Sequence, residues 1–184
     1  MQAKMGLSPL QCYEQDIASG QFQFDPAQNS AVVALTEVHA ALIQRFEIAK
    51  KVRGPARLRE IKRQKTPAQG LYLWGGVGRG KSFLMDCFFE AVPIKRKTRL
   101  HFHEFMREVH RELRELQGTV NPLDVLGKQM SKRYKLICFD EFHVADITDA
   151  MILHRLLDAL FDNGVGFVTT SNFKPDDLYP GGMH

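Results

Sequence analysis

The chain has 184 residues, 44% of them hydrophobic and 25% charged, which suits one compact domain of about 100–200 residues. That composition excludes a collagen-like, low-complexity or disordered chain. The formal net charge of +4 is too small by itself to indicate a nucleic-acid or membrane partner. Cys12, Cys87 and Cys138 are widely spaced and odd in number, so neither a disulfide framework nor a zinc site is expected. A reducing, cytoplasmic compartment is the simplest expectation. Residues Met1 to Gly6 lead into a polar segment rather than an apolar h-region of about 7–15 residues. The expectation is therefore no secretory signal and no transit peptide. No apolar run approaches the roughly 18 residues needed for a membrane span.

Ser8-Pro9 with Gln11 reads as an N-cap, a proline at the first helical position and a capping-box partner. Leu10, Tyr13 and Ile17 then recur at helical spacing up to Gly20. Asp25-Pro26 repeats the start signal, and Val32, Leu35, Leu42, Ile43 and Phe46 mark one face of a long amphipathic helix. From Arg45 to Lys65 the chain turns basic, with nine Lys or Arg against Glu47 and Glu60, and Gly54-Pro55 interrupts it. This stretch is expected to be a solvated surface connection. No aromatic residue follows Phe46 within it to stack a base, which disfavours nucleic acid as a partner. The predicted organisation is a helical N-terminal segment with basic linker over 1–66 and a main domain over 67–184.

The remainder alternates strand and helix. Strands are predicted at Leu71–Trp74, Leu100–His103, Leu136–Phe139 and Val165–Thr169. A glycine-rich turn and a helix through Phe89 follow the first. Phe105, Val109, Leu113 and Leu116 make a helical stripe that stops at Gly118. Asp146 is placed to cap a helix carrying Ile147, Met151, Leu157, Leu160 and Phe161, ending at Asn163-Gly164. This alternation predicts an α/β fold with a parallel sheet. The run Leu136-Ile137-Cys138-Phe139 has the continuous apolar character of a strand buried on both faces.

Gly75-Gly76-Val77-Gly78-Arg79-Gly80-Lys81-Ser82 fits G-x-x-x-x-G-K-[ST] in full. Glycines let backbone N–H groups wrap phosphate oxygens without side chains in the way. The next helix points its positive N-terminal end at the same anion. Lys81 is expected to reach the β- and γ-phosphates, and the Ser82 hydroxyl to ligate Mg²⁺. A chance match in a chain this long arises on the order of 1% of the time. Asp140-Glu141 directly follows the buried strand, and carboxylates there are costly unless they meet a cation or water. The first is expected to hold Mg²⁺ and the second to polarise an attacking water. Thr169-Thr170-Ser171-Asn172 ends the last strand, with Asn172 the preferred residue for orienting that water. His101 and His103 are read as alternating on the second strand, with a spacing that fits no standard zinc signature.

Together the phosphate loop, Phe139-Asp140-Glu141-Phe142-His143-Val144 and Thr170-Ser171-Asn172 resemble the AAA+ ATPases. More narrowly, His101-Phe102-His103-Glu104-Phe105-Met106 and Asp146-Ile147-Thr148-Asp149-Ala150-Met151 resemble the ZapE-like cell-division ATPases and their mitochondrial relatives. The resemblance runs from about Pro9 to Tyr179. It implies a P-loop AAA+ core with Gly75 to Ser82 as Walker A, Asp140 and Glu141 as Walker B, and Asn172 as sensor 1. It implies ATP and Mg²⁺ as ligands, ATP hydrolysis involving Lys81, Asp140, Glu141 and Asn172, and Ser82 and Asp140 on the metal. For the bacterial branch it implies an association with the FtsZ ring at division, and for a full-length protein a homo-oligomer. Gln28, near the start of the long N-terminal helix, is a candidate adenine contact.

The family pattern also includes a fifth core strand, a helical lid and an arginine finger. After Asn172 the sequence holds only Phe173 to His184, without arginine. The chain is therefore expected to be the N-terminal part of a longer ATPase, and a missing finger removes about 10³–10⁵ in rate in phosphate-loop NTPases. Two alternatives stay open on sequence: a nucleotide-gated binding module with little hydrolysis, and a DNA-dependent AAA+ loader.

Overall fold

Each predicted start signal sets a helix in the computed structural model, which describes residues 6–20, 23–51, 70–144 and 146–178. Helix α1 spans Pro9–Ala18, and its Ser8 N-cap forms the full capping box with Gln11. Helix α2 spans Pro26–Lys51, opened by Asp25, whose Oδ1 accepts from the Ala27 N–H at 2.7 Å. Residues 52–65 of the basic run, and the predicted boundary at 66/67, lie outside the described residues. Among the described residues no helix is long and apolar enough to cross a membrane.

Among the described residues four strands follow: β1 (Gly70–Trp74), β2 (Lys97–His101), β3 (Leu136–Asp140) and β4 (Gly166–Ser171). Between them run α3 (Lys81–Ala91), α4 (Phe102–Glu115), α5 (Pro122–Arg133) and α6 (Ile147–Asp162). All pairings are parallel, in the order β1-β4-β3-β2. The chain therefore crosses from β1 to the far edge and returns, so that β4, last in sequence, inserts beside β1. The predicted α/β fold with a parallel sheet is the observed one.

Side chains alternate across each strand, and the core divides accordingly. Leu136, Cys138 and Val168 pack with Tyr13, Leu35 and Phe88 under α1, α2 and α3. Ile137, Phe139 and Phe167 pack with Phe105, Leu126 and Leu156 under α4, α5 and α6. The sheet is thus covered on both faces, as a parallel sheet requires. At the α5–α6 contact a Cβ on Gly127 would stand 2.6 Å from the Ala159 Cβ, so a side chain there has no room.

Three local expectations change. The second strand starts at Lys97 and ends at His101, and His103 lies in the first turn of α4. The two histidines therefore do not share a strand face, although their rings stack with centroids 5.7 Å apart. The charged residues Lys97 and Arg99 masked the strand: Lys97 Nζ donates to Phe89 O and, at 2.6 Å, to Val92 O, capping α3 from the sheet. Helix α5 is an additional element. Its signal is present in Asn121-Pro122 and in the spacing of Leu123, Leu126 and Met130, all buried. On α6, capped by Asp146 as expected, the buried stripe is Leu153, Leu156 and Leu160, while Ile147 and Met151 are exposed.

Candidate functional site: a phosphate loop at the strand ends

The carboxyl ends of β1, β4 and β3 lie side by side, where open α/β sheets bind ligands. From β1 the chain turns through Gly75 and Gly76 into α3, with Gly78 and Gly80 in the left-handed region at φ 79° and 78°. L-residues with a Cβ resist that conformation. At Gly80 a Cβ would also approach Gln28 Nε2 within 2.6 Å. Gln28 in turn donates to Arg79 O at 3.2 Å, so the first turn of α2 braces the loop from outside. Gln28 Oε1 is buried beside the loop without a hydrogen-bond partner. The Gly75 N–H donates to Ser171 O at 3.2 Å, tying the start of the loop to β4.

Lys81, first residue of α3, folds back over the loop. Its ammonium donates to Gly75 O at 2.7 Å, Gly76 O at 2.9 Å and Asn172 Oδ1 at 2.9 Å. Burial lowers its pKa from the ordinary lysine value. The structure thus brings Lys81 and Asn172, 91 residues apart, into direct contact. A cleft of about 570 Å³ extends from the loop, reaching Lys81, Ser82, Asp140, Glu141 and Asn172 on its walls. Every residue that the sequence singled out as phosphate-binding, metal-binding or water-activating from Val77 onward lines this one cleft.

Asp140 ends β3 with its side chain only 16% exposed. Glu141, the next residue, is 72% exposed on its side chain and sits at φ 56°. A non-glycine residue held in that region stores strain of order 1–3 kcal/mol and is retained where the surroundings fix it. Here β4 does the fixing. Thr170 Oγ1 accepts from the Glu141 N–H at 3.3 Å, Thr170 O accepts from the Phe142 N–H at 2.7 Å, and Ser171 Oγ donates to Phe142 O at 2.6 Å. The strained turn leaves the Asp140 carboxylate against the sheet and sends Glu141 into the cleft. His101 Nδ1 approaches Glu141 Oε2 at 3.7 Å.

One residue at this site escaped the sequence reading. Arg99 on β2 donates from Nε to Asp140 Oδ2 at 2.6 Å and from NH2 to Asp140 Oδ1 at 3.3 Å. Its NH1 donates to Asp86 Oδ1 on α3. Burial alone would lower the guanidinium pKa, but the bonds and charges of Asp140 and Asp86 outweigh it and the net direction is up. Its signal in the sequence was a lone arginine three residues into a strand, which carries no pattern.

The donor set suits the ligands implied. Ser82 hydroxyl and the Asp140 carboxylate are hard oxygen donors of the kind Mg²⁺ prefers. The glycine turn at a helix N-terminus, with an ammonium over it, is a phosphate cradle. A Cβ built at Gly76 or Gly78 would meet nothing within 4 Å, so the space beside these glycines is open.

The cell division protein ZapE of Escherichia coli K12 is 44% identical over 183 residues, covering 96% of this chain and 49% of that protein. The chain thus spans about half the length of the curated relatives it matches so well. Among solved structures, domain III of the Thermotoga maritima replication initiation protein DnaA superposes with a TM-score of 0.50 at 21% identity, over 70% of this chain and 56% of that one. AMPPCP-bound DnaA from Aquifex aeolicus gives 0.50 at 15% identity, over 87% and 43%. At such identities the likeness concerns the fold alone, an α/β core with a parallel sheet. Residues 7–184 match the AFG1-like ATPase family, and the chain belongs to it.

Proposed function

We propose that the chain binds ATP with Mg²⁺ and hydrolyses it to ADP and phosphate. The observation that carries this reading is convergence: the Lys81 ammonium, the N-terminus of α3, Asp140 and Glu141 all face one cleft at three adjacent strand ends. In this reading the loop N–H groups from Gly75 to Ser82 and the Lys81 ammonium bind the phosphates. Lys81 then exchanges its bonds to Gly75 O and Gly76 O for phosphate oxygens. Ser82 and Asp140 hold Mg²⁺, which when bound neutralises charge on the phosphates. Glu141 takes the proton of the attacking water, and Asn172, already bonded to Lys81, keeps that water and the ammonium in register. The Glu141 carboxylate is exposed and carried on a strained turn beside the cleft.

Membership of the family and similarity to a cell division protein support a role in bacterial division. The resemblance of the sequence motifs extends this to the FtsZ ring as partner, a cytoplasmic location and a homo-oligomer of the full-length protein. Co-sedimentation with FtsZ filaments in the presence of ATP tests the partner.

The enzymatic reading is tested by two substitutions. Glu141→Gln should keep nucleotide affinity within about threefold while turnover falls by about 10²-fold or more, the loss typical of a general base. Lys81→Ala should lose binding itself. Undiminished phosphate release by the Glu141→Gln chain would remove Glu141 from its role. Nucleotide binding unaffected by Lys81→Ala would remove the loop from its own.

A further inference from the structure

Asp140 is the carboxylate read as the metal's protein ligand, yet in this structure both of its oxygens already bond Arg99. A carboxylate offers roughly four lone-pair positions. Arg99 takes two, and Thr170 Oγ1 donates to Oδ1 at 3.4 Å. The bond from Nε is short at 2.6 Å and charge-assisted, the class of hydrogen bond that fixes orientation most firmly. Neither partner is free to drift: the Arg99 side chain is 21% exposed and that of Asp140 16%. The far side of the guanidinium is held by Asp86, five residues beyond Lys81 on the helix whose N-terminus cradles the phosphates. One arginine therefore ties the helix of the phosphate loop to the strand end that carries the metal ligand. The two acidic residues sit on separate elements, and among the described residues no turn or loop backbone hydrogen bond joins them.

We propose that Arg99, anchored by Asp86, is the positioning residue for Asp140, orienting its carboxylate for Mg²⁺ and coupling that orientation to the phosphate-loop helix. The proposal rests on the nucleotide reading above. A partly buried carboxylate left without its guanidinium finds a new partner or rotates, and the metal then meets a disordered ligand. A single positive charge placed nearby would not do the same, because the planar fork fixes two oxygens at once whereas an ammonium is a point charge. Arg99 also lines the cleft, but Asp140 and Asp86 already occupy its guanidinium on both sides, so in this scheme it acts through Asp140.

The test measures binding of a fluorescent ATP analogue to the purified chain with Mg²⁺ and with chelator, so that the ratio of the two affinities isolates the metal's contribution. Arg99→Ala should reduce that ratio by about tenfold, while affinity in chelator stays within about twofold. Arg99→Lys, which retains charge but not the fork, should recover the thermal stability of the parent and only part of the ratio. Asp86→Asn leaves Asp140 and Arg99 in place and should lower the ratio about two- to threefold. It serves as the decisive variant where Arg99→Ala does not fold, as judged by circular dichroism. An unchanged ratio in folded Arg99→Ala, or in Asp86→Asn where that variant decides, overturns the positioning role while leaving the nucleotide reading intact. Full recovery of the ratio by Arg99→Lys also overturns it, since charge alone then suffices. Absence of analogue binding by the parent chain under both conditions instead sinks the nucleotide reading, and this proposal with it.

Discussion

From β3, Ile137 and Phe139 turn toward α4, α5 and α6, while Leu136 and Cys138 turn toward α1, α2 and α3, and the two layers they enter differ in kind. The first is dominated by aromatic rings, in which Phe139 meets Phe105 at 4.7 Å, Phe102 at 5.8 Å and Phe167 at 5.9 Å between ring centroids. The second brings polar and charged groups to the sheet. Lys97 and Arg99 lie on β2, His39 bonds Ala91 O at 3.2 Å, and Cys138 is so enclosed that burial pushes its thiol pKa up to about 12. The difference teaches how one sheet divides its tasks. The aromatic layer packs the strands from one side, and the polar-seeded layer connects the phosphate-loop helix to the strand ends where charge is needed.

Three perturbations break or sharpen this contrast. The largest concerns the aromatic layer: Phe139→Ala should cost about 3–5 kcal/mol in urea unfolding, the usual loss for a buried phenylalanine. Its neighbour on the opposite face, Cys138→Ala, should cost about 1 kcal/mol. Equal losses would mean that the two layers contribute alike. Next, Gly127→Ala forces a methyl to within 2.6 Å of the Ala159 Cβ and should destabilise by about 1–3 kcal/mol, as overpacking does. An unshifted midpoint would show that α5 and α6 can part freely. The smallest effect is a pH dependence confined to the other layer. His39 is buried, and desolvation lowers its pKa below the ordinary 6.5, outweighing its bond to Ala91 O. The folded state therefore holds His39 neutral. Its contribution is complete above pH 6.5 and declines as pH falls from there toward the lowered folded value, because the unfolded chain takes up the proton first. Thermal melts over this range should show a stability loss that His39→Gln reduces. Identical slopes for the two chains would exclude His39 as its source.

The same contrast explains what was legible in the residues. Apolar alternation and capping signals located β1, β3, β4, α1, α2 and α6, because burial on both sheet faces and helix capping leave a local imprint. The phosphate loop was legible in full, since backbone geometry and anion binding demand particular residues at particular spacings. The start of β2 was not, because Lys97 and Arg99 occupy strand positions for reasons that lie on α3 and β3. The face of α6 was misassigned at Ile147 and Met151 because apolar spacing alone does not say which stripe meets the sheet. Arg99 was invisible for the same reason: a single arginine gains meaning only from Asp140 and Asp86, 41 and 13 residues away.

By itself, then, the sequence determined the α/β class, the phosphate loop, the acidic pair and the family likeness, all of them properties of short segments whose physics is local. Only the tertiary structure decided the strand order that sets Asn172 beside Lys81, the left-handed turn that projects Glu141, and the guanidinium that holds Asp140. Those depend on elements distant in sequence meeting at the ends of one sheet. Their energies come from charge and hydrogen-bond geometry across the fold, which no local pattern of residues records.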